Sequence, residues 1–245
     1  MKLSGKVAVV TGGARGLGKA IAQRFLKEGA VVVITDINKE ALQICAADLS
    51  GFGEISGIQM DVTKFDEVQE RMAGIIRERG KIDVLVNNAG ITADAQLKNM
   101  SEAQFDSVVA VNMKGVFCCT KGVVNHMISN GYGKIINISS VTAHNGNFGQ
   151  TNYAATKAAV IAMTQTWAKE LAKSGINVNA VAPGYIATEM VQKVPEKILD
   201  SIRAKTPSKR LGEPDEIAAA CAYLASDESK FVNGAVLKID GGLVL

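Results

Sequence analysis

The chain has 245 residues, 47% of them apolar and 21% charged, with a net charge of +3 spread along its length. That balance supports a sizeable folded core, argues against disorder, and lacks the basic block that nucleic-acid binders carry. The early apolar run Val7, Ala8, Val9, Val10 is far too short for a membrane span or a signal-peptide core.

Taken in order, that run reads as a short buried strand, and the segment T-G-G-A-R-G-L-G, Thr11 to Gly18, follows as a turn. Leu17, Ile21, Ala22, Phe25 and Leu26 then recur at helical spacing, and Gly29 closes the helix. Residues 31–35 and 55–60 read as the second and third strands, with a helix starting near Lys39 between them. A helix is predicted near 65–79, a fourth strand at Val84, Leu85 and Val86, and a long helix over about 102–128. Residues 134–138 form the fifth strand, 152–173 a helix, 176–181 the sixth strand, 215–225 a helix and 235–239 the last strand. Strands that are apolar throughout and alternate with helices imply a parallel sheet covered on both faces. With no linker or repeat in view, residues 1–245 are expected to form a single doubly wound α/β domain of the Rossmann type, with about seven strands.

The glycine turn sits where a parallel sheet places a phosphate-binding turn. Gly12 permits a tight turn, while Gly16 and Gly18 let the backbone approach a pyrophosphate at the helix N-terminus. The spacing Gly-x-x-x-Gly-x-Gly differs from the commonest dinucleotide fingerprint. Asp36 follows the second strand; it can accept hydrogen bonds from an adenosine ribose and would repel a 2′-phosphate, which favours NAD(H) over NADP(H). Arg15 in the turn argues the other way, and Asp36 could instead cap the helix near Lys39.

Tyr153 and Lys157 lie one helical turn apart on one face. An ammonium about 4 Å from the phenol, at an effective dielectric of about 20, favours the phenolate by roughly 4 kcal/mol. That is roughly three pKa units, enough to bring a tyrosine into the working range of a general acid/base. Alone, the spacing is one that helices contain by chance. Cys45, Cys118, Cys119 and Cys221 form no Cys-x-x-Cys pair and only His126 and His144 accompany them, so no metal site is expected. Free thiols fit a reducing cytoplasm.

Thr11-Gly-x-x-x-Gly-x-Gly18, Asn87-Asn-Ala-Gly90, Asn112, Ser140, Tyr153-x-x-x-Lys157 and Pro183-Gly184 follow one another in an order and rough spacing that resemble the short-chain dehydrogenase/reductase family, almost end to end. The stretch from Asn88 to Asp94 and the closing Asp240-Gly241-Gly242 are most similar to its bacterial branch acting on 3-oxoacyl groups carried by acyl carrier protein. The resemblance implies that Tyr153 exchanges a proton with the substrate oxygen, that Lys157 lowers the Tyr153 pKa and bonds the nicotinamide ribose, and that Ser140 rather than the adjacent Ser139 hydrogen-bonds that oxygen. It implies that Asn112 holds a water linking Lys157 to solvent. It extends the cofactor-binding set to Arg15, Leu17, Ile37, Asp61, Val62, Asn88, Ala89, Gly90, Pro183, Gly184, Ile186 and Thr188. It also implies a homotetramer in the cytoplasm, for which the apolar end Gly241 to Leu245 would suit an interface.

Residues 185–214, with Met190, Val191, Val194, Ile198 and Ile202 among charged residues, are expected to cover the substrate, the alternative being a surface helix pair. Two arginines common in reductases that use acyl carrier protein align with Gly131 and Ser174; Lys134 and Lys173 stand nearby, without arginine's forked geometry. Three readings follow: a reductase of 3-oxoacyl thioesters on acyl carrier protein or coenzyme A, an NAD-dependent dehydrogenase of another secondary alcohol or ketone such as a polyol, steroid or cyclic alcohol, and a nucleotide-sensing protein without catalysis.

Overall fold

In the computed structural model, residues 1–188, 191 and 196–243 are described. The strands are β1 (Val7–Thr11), β2 (Val31–Asp36), β3 (Ile55–Gln59), β4 (Val84–Asn87), β5 (Gly133–Ile138), β6 (Ile176–Pro183) and β7 (Val236–Ile239). They form one sheet, ordered β3-β2-β1-β4-β5-β6-β7, and every pairing is parallel. The helices are α1 (Gly16–Lys27), α2 (Lys39–Leu49), α3 (Phe65–Arg79), α4 (Glu102–Val109), α5 (Gly115–Asn130), α6 (Thr142–Asn145), α7 (Thr151–Leu171), α8 (Glu196–Lys205) and α9 (Pro214–Ala225).

The strand residues alternate between two cores, as a period of two requires. Ala8, Val10, Val32, Ile34, Val84, Val86 and Ile136 pack on one face with Ile21, Phe25 and Cys221 of the helices α1 and α9. Val9, Val33, Leu85, Ile135 and Val178 pack on the other with Met72, Cys119, Val123 and Leu171 of α3, α5 and α7. Both faces are therefore covered, which explains strands that are apolar throughout.

Strand order reverses between β1 and β4, and this switch point opens a crevice at the C-terminal strand ends. Thr11 and Asn88 bind it together. The Thr11 hydroxyl accepts the backbone N–H of Asn88 at 3.0 Å and of Ala89 at 3.1 Å, while Asn88 Nδ2 donates to the carbonyls of Thr11 and Gly12.

The long helix predicted over 102–128 is real but interrupted. A π-helical turn, Ala110–Lys114, separates α4 from α5 and carries Asn112 at its centre. Such bulges recur at functional sites. The Glu102–Asn130 segment has the length and apolarity of a membrane span, yet Val108, Val116, Cys118, Cys119, Val123 and Met127 are buried in the protein. Of the expected cover over 185–214, α8 lies within the region and α9 begins at its end, with Ile198 half exposed and Ile202 buried. Met190 and Val194, and Val244 and Leu245 of the apolar end, lie outside the described residues.

Candidate active site

A cleft of about 720 Å³ runs along the C-terminal strand ends. Gly12, Arg15, Gly16, Leu17, Asp36, Ile37, Asp61, Val62, Asn88, Ala89 and Gly90 line one part of it; Ser140, Tyr153, Lys157, Pro183, Gly184, Ile186 and Thr188 line the other. Two of the residues singled out in the sequence, Gly18 and Asn112, do not.

The glycines of the turn divide their work. Gly12 and Gly16 have positive φ, +60° and +52°, a backbone conformation that side chains resist. A Cβ on Gly16 would meet nothing within 4 Å, so the chain here is open to the cleft. A Cβ on Gly18 would stand 2.2 Å from the Gly12 carbonyl and 2.7 Å from Asn88 Nδ2. Gly18 therefore packs the helix closely onto the turn. No acidic residue occupies the first turn of α1, and Arg15 at its N-cap gives no side-chain cap, which leaves the helix's positive end facing the cleft.

Asp36 reaches the cleft from the end of β2, and among the described residues its Oδ1 accepts the nearby Asn38 N–H at 3.1 Å. The helix cap is Asn38, whose Oδ1 takes the Ala41 N–H, so Asp36 is not the cap of α2. Asp61 Oδ1 accepts from the Thr63 N–H and hydroxyl, which fixes the carboxylate beside Val62.

On the other side, Ser139 and Ser140 follow β5, and their partners separate them. Ser139 Oγ donates to the Lys157 carbonyl at 2.8 Å and is committed to holding α7. Ser140 and Tyr153 line the same part of the cleft, and the Ser140 hydroxyl accepts from the Thr142 N–H and hydroxyl. Thr142, a residue the sequence did not single out, thus orients Ser140.

Tyr153 and Lys157 meet across one helical turn, as their spacing predicts. Lys157 Nζ lies 5.6 Å from the ring centroid and donates to the Ile138 carbonyl at 2.7 Å. Burial pushes the phenol above its ordinary pKa, opposed by the Ser140 hydrogen bond and reinforced by the negative Asp94. Burial also pushes Lys157 down to about 8.

Asn112 is fully buried, and its amide is occupied. Oδ1 accepts the Ile91 N–H and Nδ2 donates to the Ile91 carbonyl, both at 2.9 Å. The side chain pins the loop after β4, so Asn112 supports the cleft wall without lining it. Ile91, Thr92, Met60 and Val111 also line the cleft. Their spacing gave no signal, because they are ordinary apolar or loop residues until the fold gathers them.

Gly131 and Ser174 lie before β5 and β6, at the end of the sheet opposite the cleft. Lys134 cannot replace a docking arginine there: it is 2% exposed, with Nζ donating to Asn177 Oδ1 at 2.7 Å. Lys173 is exposed. Among the described residues no cluster of His, Cys, Asp or Glu has the geometry of a metal site.

Residues 12–244 match a family model described as enoyl-(acyl carrier protein) reductase. The chain is 50% identical over 246 residues to the 3-oxoacyl-[acyl-carrier-protein] reductase FabG of Thermotoga maritima, which covers all of both chains. It is 42% identical to the (2S)-[(R)-hydroxy(phenyl)methyl]succinyl-CoA dehydrogenase subunit BbsD of Thauera aromatica, over 99% of this chain and 98% of that one. Among solved structures, a levodione reductase superimposes with a TM-score of 0.94 at 35% identity, covering 98% of each chain.

Proposed function

The chain belongs to the short-chain dehydrogenase/reductase family and is an oxidoreductase, and we propose that it reduces 3-oxoacyl thioesters to 3-hydroxyacyl thioesters with a nicotinamide cofactor, NAD(H) in preference to NADP(H). The observation that carries this reading is the gathering of Ser140, Tyr153 and Lys157 in one cleft with an open glycine turn at its far end.

The residues present fit such a cofactor. The open backbone at Gly16 and the positive end of α1 suit a pyrophosphate. Asp36 suits a ribose with a free 2′-hydroxyl and opposes a 2′-phosphate, a preference Arg15 does not overturn, because a phosphate dianion beside a carboxylate is repelled. Ile37, Leu17, Asp61, Val62, Asn88, Ala89 and Gly90 surround the nucleoside part, and Pro183, Gly184, Ile186 and Thr188 the nicotinamide part. The bound cofactor supplies the hydride.

The protein's own residues do the rest. Ser140 donates to the carbonyl oxygen as it gains negative charge, and Tyr153 transfers its phenolic proton to that oxygen. Lys157, with one acceptor at Ile138, has further N–H groups for the ribose. The described residues of 185–214, α8 among them, are assigned as the substrate cover. We assign the protein to the reducing cytoplasm, consistent with four buried free thiols. We assign it as a homotetramer, which would cover the exposed Phe65, Phe105, Phe117 and Ile128.

The likeness to the succinyl-CoA dehydrogenase subunit favours coenzyme A thioesters as well as carrier-bound ones, and the missing arginine pair weakens docking of a carrier protein. The levodione reductase keeps a second reading in play, a dehydrogenase of another ketone or secondary alcohol. Steady-state kinetics with NADH separates the two: acetoacetyl-CoA should be turned over faster than cyclic, steroid or polyol-derived ketones. Equal or slower turnover would remove the thioester reading.

A further inference from the structure

We propose that Asn152 is a positioning residue for Tyr153, an amide clip that fixes the first turn of α7 against the loop after β4. The proposal rests on Tyr153 being the proton donor.

Asn152 is fully buried, and its amide reaches three elements. Nδ2 donates to the Ala93 carbonyl at 3.0 Å and to the Gln104 carbonyl of α4 at 3.1 Å. Oδ1 accepts the backbone N–H of Tyr153 itself at 2.8 Å. That N–H belongs to the first helical turn, where four donors lack partners within the helix, and Gln150 at the N-cap gives no side-chain cap.

The same loop is stitched to α7 at neighbouring points. The Ala95 N–H donates to the Gly149 carbonyl at 2.9 Å, and Gln150 Nε2 donates to Asp94 Oδ2 at 2.9 Å. Asn112 holds Ile91 from the other side. Ile91 and Thr92 face the cleft, so the loop that walls it and the turn that carries the phenol form one unit.

Asn152 is the buried link at the residue next to Tyr153, and only an amide of this length meets its demands. Aspartate would face two carbonyl oxygens without a proton to offer, and alanine would take from the Ala93 carbonyl, the Gln104 carbonyl and the Tyr153 N–H the partner that joins them. A small displacement of a reacting group is costly to rate.

The test compares Asn152→Ala, Asn152→Ser and Tyr153→Phe. Competent sites are counted by NADH fluorescence titration, then kcat, KM for acetoacetyl-CoA and the pH profile of kcat are measured per competent site. Asn152→Ala should bind NADH with unchanged stoichiometry, lose roughly tenfold to hundredfold in kcat with less change in KM, and shift its pH profile. Asn152→Ser, whose hydroxyl can still accept the Tyr153 N–H, should recover part of the loss. If Asn152→Ala does not fold, Asn152→Asp replaces it; that variant keeps the acceptor, loses both donors and should show the same fall in kcat. An unchanged kcat and pH profile per NADH-binding site, while Tyr153→Phe is inactive, would reduce Asn152 to a structural role and overturn the proposal. Activity retained in Tyr153→Phe would instead overturn the reading of Tyr153, leaving Asn152 nothing to position.

Discussion

Each end of the parallel sheet buries a lysine, and the protein treats the two ammonium groups differently. At the N-terminal end, Lys134 is 2% exposed and is met by Asn177 Oδ1 at 2.7 Å and Ser229 Oγ at 3.5 Å. Burial lowers its pKa, but the Asp227 carboxylate opposes that. Tyr132 donates to the same carboxylate at 3.1 Å, with Lys6 3.6 Å above its ring. At the C-terminal end, Lys157 is 4% exposed and, among the described residues, donates only to the Ile138 carbonyl. Burial pushes it down to about 8, and no carboxylate opposes the shift. The polar groups of one end close on one another; those of the other are left with capacity for a ligand, at a cost in stability.

The sharpest way to break this contrast is Lys157→Met. Turnover should fall at least about a hundredfold, because the substitution removes the ammonium beside the proton donor. Stability should move the opposite way at pH 7. The folded value of Lys157, about 8, lies below the ordinary 10.5, so the unfolded chain holds more protons between those values. Stability therefore rises with pH across that window, and the penalty of burying the charge is fully present below it. The penalty is about 3 kcal/mol, less about 1 kcal/mol for the Ile138 carbonyl that methionine would leave unpaired. The variant should thus unfold at higher urea than the wild type at pH 7, with the gain fading by about pH 10.5. A loss of stability at pH 7 would show that Lys157 is satisfied as Lys134 is.

Asp36, another charge at the open end with a main-chain partner among the described residues, sharpens the contrast next. Asp36→Asn should raise the NADPH/NADH ratio of kcat/KM by about tenfold, the scale of one charge–charge interaction near a surface. An unchanged ratio would show that the carboxylate does not govern cofactor choice. The smallest effect on activity belongs to Lys134→Met. Its kcat should stay within about twofold of wild type, while urea unfolding should show a loss of about 1–2 kcal/mol from the unpaired Asn177 oxygen. A large loss of turnover would mean that the two ends of the sheet are coupled.

The strands, their parallel order and the glycine turn were legible in the sequence because they rest on local patterns: apolar runs at period two and a turn placed between strand and helix. The placement of Ser140, Tyr153 and Lys157 in one cleft also followed from spacing joined to family resemblance. What failed was orientation. The sequence puts Lys157 one turn from Tyr153, but which acceptor its ammonium chooses depends on Ile138, from another strand. Asn112 reads as a helix residue in need of a partner, and the partner is the Ile91 backbone, supplied by a loop that a π turn allows it to reach. Lys134 was misplaced for a related reason, since whether a lysine meets solvent is decided by tertiary packing.

The central claim is that the Tyr153 phenol supplies the proton during carbonyl reduction, and Tyr153→Phe tests it most directly. NADH affinity by fluorescence titration and acetoacetyl-CoA turnover should be measured on the same preparation. NADH affinity within about twofold of wild type, with turnover reduced at least about a hundredfold, is the expected result. Near-normal turnover in that variant would contradict it.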